Sequence, residues 1–262
     1  MFESNTSSLG YRPMLSVTVL GCDGSHQGMG GACSSYMVKE WGTRTAVLLD
    51  MGSGSFSNYQ RFFNLDELDA VVLSHSHPDH WADIDSLAVA MRYTIGRTRP
   101  LRVIAPEGVM RLTQHVHGPL FEWDEVASGS SITIQNMRLS FYATDHVLTT
   151  LAIRIDAHDV SGDTVTLGYT ADTGTGWQPG ELGDGLDMLI SEATFTSAYE
   201  GKSQHLSGRQ AGQFAREAGA QSLMITHHWS NIDKVSILNE ATEAFGDEVI
   251  QARVGLGVLV RS

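Results

Sequence analysis

Cysteine is nearly absent from this 262-residue chain: only Cys22 and Cys33 are present, which excludes a disulfide-built scaffold and points to a reducing cytoplasm. No apolar run approaches the length of a membrane span, and the opening MFESNTSSLG lacks the basic start and apolar stretch of an export signal. Proline is also scarce, 6 residues against 27 glycines, and no repetitive tract occurs, so a folded chain with many turns is expected rather than a disordered arm. Basic residues are outnumbered, 17 Lys and Arg against 30 Asp and Glu, for a formal charge of -13. Such a surface repels a nucleic-acid backbone unless one face gathers the cations, so a small substrate suits it better than a long polyanion.

What is present is alternation. The runs at 14–21, 34–40, 45–52, 69–74 and 101–106 read as strands, with helices expected near 56–63, from about 82 to 93, and from 106 to near Gly118. The second half repeats the plan, with strands at SITI, MRLSFYA, LAIRIDA, TVTLGYT, 187–193, 222–226 and GVLVRS, and helices between the last of them. Two such halves predict two sheets packed together with helices outside. No Pro- or Ser-rich linker separates them, so residues 1–262 are expected to form one domain. The clearest helix is 208–218, where Ser207 and Gln210 have capping-box spacing, Ala211, Phe214, Ala215 and Ala218 share a face, and Gly219 fits the position past the end.

The chemistry concentrates in LSHSHPDHWADI, residues 73–84. The preceding strand ends before His75, His77, Asp79 and His80, and Pro78 is expected to interrupt regular structure, so the side chains can converge from a tight loop. Imidazole and carboxylate suit zinc and similar divalent ions. Asp79 and His80 are adjacent and tend to point different ways, which hints at two metals. Further candidates stand just past later strands: His146, Asp172 and His227. Strand exits are where a packed-sheet scaffold presents functional groups rigidly.

The ordered set SHSHPDH, DHVLTTLAIRI, YTADTG, SEATF and MITHH, spanning about residues 15–260, resembles the successive motifs of the metallo-β-lactamase superfamily in its ribonuclease Z-like branch. HLSGRQAGQFAREAGA is similar to a segment of the compact bacterial phosphodiesterases of that branch, cyclic-nucleotide phosphodiesterases among them. The resemblance implies an α/β fold (α+β in the strict sense), a four-layer αββα sandwich with a di-metal site at one edge. It also implies that His75, His77 and His146 hold one ion, that Asp79, His80 and His227 hold the other, and that Asp172 bridges them. Zinc, manganese and iron all suit these ligands. Water between two such ions becomes a nucleophile near neutral pH. The family pattern further gives Glu192 and His205 the supply of a proton to the leaving group, with Asp79 sharing in the chemistry.

A small phosphodiester such as a cyclic nucleotide is therefore the expected substrate, with no membrane partner and with a homodimer compatible with the family habit. A transfer-RNA 3′-end endonuclease is the alternative, but that family commonly carries a long arm between the third His and the bridging Asp, and here His146 and Asp172 are only 26 positions apart. Lactone, thioester or β-lactam hydrolysis is a third reading on the same scaffold. The remaining histidines weigh less. His115 and His117 lie in a helix-type stretch and read as surface or packing residues, and His158 reads as a solvated turn residue. His228 is expected to support His227 or to face the pocket, and Asp50 to orient the metal loop through hydrogen bonds. The Gly-rich loop 21–35 lacks the Gly-Lys-Ser/Thr of a P-loop; its Asp23 and His26 are candidate substrate contacts, with a plain loop role the more expected one.

Overall fold

Two seven-stranded sheets face each other in a computed structural model of the protein, which describes residues 14–262 apart from 96, 98, 114–119, 159–162 and 178. The first sheet contains β1 (Met14–Gly21), β2 (Ser35–Glu40), β3 (Ala46–Leu49), β4 (Ala70–Val72), β5 (Leu101–Pro106) and β6 (Phe121–Val126). The second contains β7 (Ser131–Ile134), β8 (Met137–Ala143), β9 (Leu151–His158), β10 (Thr164–Tyr169), β11 (Met188–Glu192), β12 (Leu223–Thr226) and β13 (Val249–Gln251). The last strand, β14 (Gly257–Arg261), leaves the second half of the chain and pairs antiparallel with β1, Val260 opposite Leu15. Among the described residues five α-helices accompany the sheets: α1 (Ser55–Phe62), α2 (Pro78–Trp81), α3 (Ile84–Ala90), α4 (Gly208–Glu217) and α5 (Lys234–Phe245).

The period-two pattern explains the layering. Val47, Leu49, Val72, Ile153, Ile155 and Ile190 point between the sheets, while Leu48, Val71 and Leu189 point outward under helices. Phe56 and Tyr59 of α1 and Ile84 and Leu87 of α3 cover the first sheet; Ala211 and Ala215 of α4 and Ile237 and Ala241 of α5 cover the second. The result is a four-layer αββα sandwich. Truncating a fully buried side chain such as Leu189 to alanine would cost about 2–5 kcal/mol. The α4–α5 contact depends on two glycines, because a Cβ on Gly208 would lie 2.2 Å from the Ile237 carbonyl oxygen and one on Gly212 2.3 Å from that of Ala241. The capping box of Ser207 and Gln210 starts α4, and Gly219 follows its end with φ 64°.

Several sequence expectations need correction. Pro78 does not interrupt regular structure; it opens the single turn of α2, where a missing N–H costs nothing. The helix expected over 82–93 ends at Ala90 and continues as a wider π turn over Met91–Ile95. After β5 the described chain makes only a short 3-10 turn, Val109–Leu112; the rest of the expected helix, with His115 and His117, lies outside the described residues. His158 ends β9 rather than lying in a turn, and is exposed. Cys22 and Cys33 are buried free thiols, and burial pushes them up to about 11 and about 12. Among the described residues no helix is long and apolar enough to cross a membrane.

Candidate metal centre

One edge of the sandwich collects the exits of strands that run the same way. β3 and β4 are parallel, β10, β11 and β12 are parallel, and β8 regains that direction through antiparallel β9. Asp50, His75, His146, Asp172, Glu192 and His227 all lie at or just beyond the ends of these strands. Three residues at the exits, Asp50, Ala171 and His227, hold left-handed backbone with φ of 56°, 52° and 59°. For residues other than glycine this conformation costs of order 1 kcal/mol each, and it turns the chain sharply toward the centre.

Ring nitrogens of His75, His77 and His146 converge with Asp172 in one group. His77 Nδ1 lies 3.0 Å from His75 Nε2 and 3.2 Å from His146 Nε2, and Asp172 Oδ2 is 3.6 Å and 3.9 Å from those two Nε2 atoms. Burial is the first reason all three imidazoles titrate below their ordinary value, most strongly His75, and it keeps them neutral. Without a cation, one proton on His77 Nδ1 is all that the two facing Nε2 atoms have to share. A cation satisfies them: metal–nitrogen bonds of about 2.0–2.1 Å in tetrahedral array place the ligand atoms about 3.3 Å apart.

Asp79, His80 and His227 form the second group. His227 Nε2 stands 3.2 Å from Asp79 Oδ2 and 3.4 Å from Asp172 Oδ1; His80 Nε2 stands 3.6 Å and 3.3 Å from the same two oxygens. His80 Nε2 and Asp172 Oδ1 are buried and have no hydrogen-bond partner, an arrangement that is costly unless a cation lies between them. The donor set therefore fits divalent metals in both groups, with Asp172 contributing one oxygen to each. Burial works against the charge of Asp79 and Asp172, yet His80 and His227 outweigh it and hold both carboxyls well below the usual range. Burial likewise opposes a charge on His80, but Asp172, Asp50 and Asp79 lift it well above the ordinary value. Without a cation this ring takes a proton, which a metal must displace.

The surrounding hydrogen bonds set the tautomers. Asp50 is buried in full, and its carboxylate accepts from Ser74 N (2.7 Å), Ser74 Oγ (2.9 Å), His80 Nδ1 (2.7 Å) and Tyr169 Oη (2.6 Å). His80 is thus locked with Nε2 facing the centre. Ser74 Oγ, its own proton given to Asp50, accepts from His75 Nδ1 at 3.0 Å and fixes that ring as well. On the other side His227 Nδ1 donates to Thr194 Oγ1 (2.9 Å), which donates to Glu192 Oε2 (2.7 Å). Asp79 Oδ2 also accepts from the backbone N–H of Ser25 at 2.7 Å, so the Gly-rich loop closes over this ligand.

His205 stands at the mouth, its ring centroid 5.4 Å from that of His146 and 5.3 Å from that of His227. It is partly exposed and donates through Nδ1 to Glu192 Oε1 at 3.0 Å. Burial disfavours its cation, but the Glu192 carboxylate overrides this and raises its pKa to about 9. Glu192 is 1% exposed and takes two further backbone donors, Thr173 N and Leu206 N.

All the expected site residues from the histidine-rich run, with His146, Asp172, Glu192, His205 and His227, come together here. Others do not. His228 is fully buried, bonds through Nδ1 to the Ala193 carbonyl at 2.7 Å, and belongs to neither group. Asp23 is engaged by Gly28 N and by Lys234 Nζ at 3.1 Å, and His26 is exposed beside Ser230. Ser25, Ser74, Tyr169 and Thr194 escaped sequence reasoning because single hydroxyl or loop residues carry no spacing signal.

Residues 45–228 match the family described as the beta-lactamase superfamily domain. The probable metallo-hydrolase YhfI of Bacillus subtilis is 32% identical over 253 residues, 92% of this chain and 98% of that protein. The crystal structure of that metallo-beta-lactamase fold protein superposes with a TM-score of 0.83 at 30% identity, covering 95% of this chain and all of that one. Ribonuclease Z of Methanopyrus kandleri is 27% identical over 251 residues, 83% of this chain and 88% of that protein. A diphosphatase from the PhnP family shares the fold at 20% identity, TM-score 0.70, over 95% of this chain and 100% of that one. The chain belongs to the beta-lactamase superfamily and is a hydrolase of its metallo-β-lactamase family.

Proposed function

We propose that the protein hydrolyses a small phosphodiester, such as a cyclic nucleotide, with two divalent ions, zinc first and manganese or iron as alternatives. His75, His77 and His146 would hold one ion and Asp79, His80 and His227 the other, with Asp172 available to both. Ions there would neutralise the phosphate and acidify a water molecule. The observation that carries the reading is the His205–Glu192 pair at the mouth. An alkoxide leaving group needs a proton, and a cationic His205, held through Nδ1, has its Nε2 proton to give. Lactone opening also expels an alkoxide, so a lactone panel assayed in parallel separates that reading.

Supporting the small substrate, β9 and β10 occupy the stretch between His146 and Asp172. The charge of -13 supports it too. The test is a parallel assay on one metal-loaded preparation: bis(p-nitrophenyl) phosphate, cyclic nucleotides, a transfer-RNA precursor and a lactone panel. Turnover of the small phosphodiesters well above the other two classes is expected. Preferential cleavage of the precursor or of lactones would overturn the reading.

A further inference from the structure

We propose that the aromatic rim beside the metal centre is a binding subsite for a flat ring, the nucleobase of a nucleotide substrate, with Tyr199 and Trp229 as its platform. The inference rests on the phosphodiesterase reading for the group that is cut, and adds what holds the rest of the substrate. Trp229 follows His227 by two residues, and its Nε1 donates to Ser25 Oγ at 3.3 Å. Ser25 N in turn donates to Asp79 Oδ2, so the indole stands two hydrogen bonds from a candidate ligand. Tyr199 meets Trp229 edge-on with centroids 5.9 Å apart, and both rings rest on Phe195, at 6.1 Å and 5.5 Å. Phe195 is fully buried while Tyr199 remains 41% exposed, which makes a rigid base under an open surface.

Lys202 links the platform to the cleft at His205. Lys202 Nζ lies 4.6 Å from the Tyr199 ring centroid, and Lys202 lines with His205 and Gln204 a cleft of about 340 Å³. Val147 and Leu148, directly after His146, are exposed as well. A substrate that was phosphate alone would give these apolar groups nothing to desolvate. A nucleotide matches both halves, its phosphate toward the metal groups and its base over the rings, where it would displace the Lys202 ammonium that lies over Tyr199 and donates to the Ala198 carbonyl at 3.0 Å. The plain alternative is that Tyr199 and Trp229 merely roof Phe195.

The test compares binding of adenosine 5′-monophosphate and ribose 5-phosphate to the metal-loaded protein by calorimetry, since the two differ only in the base. Stacking on the platform should favour the nucleotide by about tenfold or more. Tyr199→Ala and Trp229→Ala should bring the two within about twofold, the ribose phosphate affinity being kept, whereas Tyr199→Phe retains the preference. Equal affinities in the wild type, or a preference untouched in Tyr199→Ala, would overturn the proposal. Should Trp229→Ala fail to fold, the exposed Tyr199 variant decides alone. Cleavage of methyl riboside 3′,5′-cyclic phosphate, which has no base, scores the phosphodiesterase reading separately: turnover without a base preference removes the subsite and leaves that reading standing.

Discussion

His205 Nδ1 lies 3.0 Å from Glu192 Oε1, a contact that fixes both the charge of the imidazole and the direction of its other nitrogen. The same carboxylate reaches His227 through Thr194, so one buried anion positions the proposed proton donor and a proposed metal ligand together.

If His205 supplies the leaving-group proton, His205→Ala should slow turnover by about 10²–10³-fold for alkyl phosphodiesters and by much less for p-nitrophenyl esters, whose phenolate leaves unaided. Because Glu192 raises this pKa, activity must fall as pH rises through the value and the donor loses its proton. Bound cations repel the imidazolium, so the alkaline limb of kcat belongs below 9. Glu192→Gln should move it lower still. A pH profile with an unmoved limb, or equal losses on good and poor leaving groups, would count against the assignment.

Asp50 touches neither group of candidate ligands through a ligand atom of its own, yet it orients His80 directly and His75 through Ser74. Asp50→Asn should therefore lower metal affinity about 10–100-fold while the protein stays folded. Competition with a chromogenic chelator measures it. Tyr169→Phe, which removes one of four donors, should cost less. A wild-type affinity in Asp50→Asn would show that the rings are held by packing alone.

Much of this site was legible in the sequence because it follows strand exits. The runs before His75, Asp172 and His227 are rich in β-branched and apolar residues, the mark of strands buried on both faces, and metal-type residues after such runs stand out. What stayed hidden lacks that contrast. β6 reads FEWDEV and sits at a sheet edge, where half-exposed acidic residues blur the alternation, and β13 has only three residues. The return of β14 to the first sheet is set by a pairing with β1, at the opposite end of the described chain. The family resemblance, not the strand pattern, separates His227 from His228, and in the structure a left-handed backbone at His227 divides the two.

Among the described residues Asp172 alone has an oxygen facing each group. Asp172→Ala should thus reduce the content of both ions, whereas Asp79→Ala should spare the one near His75. Stoichiometry by elemental analysis after reconstitution distinguishes them, and two retained ions in Asp172→Ala would refute the shared position. Removing the metal should also lower the unfolding temperature, since an ion at about 100 times its Kd stabilises by about 2.7 kcal/mol. Identical melting with and without chelator would refute that linkage.

His228 gives a stability signature independent of turnover. Burial lowers its pKa from 6.5 to about 4, with the Ala193 carbonyl pulling the other way, so in that window the unfolded chain binds a proton that the folded one does not. The stabilisation is present above 6.5, is lost as pH falls, and is gone below about 4. Between pH 7 and pH 5 the loss from this one group is about 2 kcal/mol. Urea unfolding of the chelated protein at the two pH values reads a net slope, to which the lowered His75, His77 and His146 add and the raised His80 and His205 subtract, so the difference between wild type and a His228 variant isolates this group. In His228→Gln, which keeps a donor for the Ala193 carbonyl, the loss from pH 7 to pH 5 should be smaller than in wild type by about 2 kcal/mol. An unchanged slope would mean that the folded protein accommodates a charged ring at this position, and that the pocket around His228 is wetter than its burial indicates.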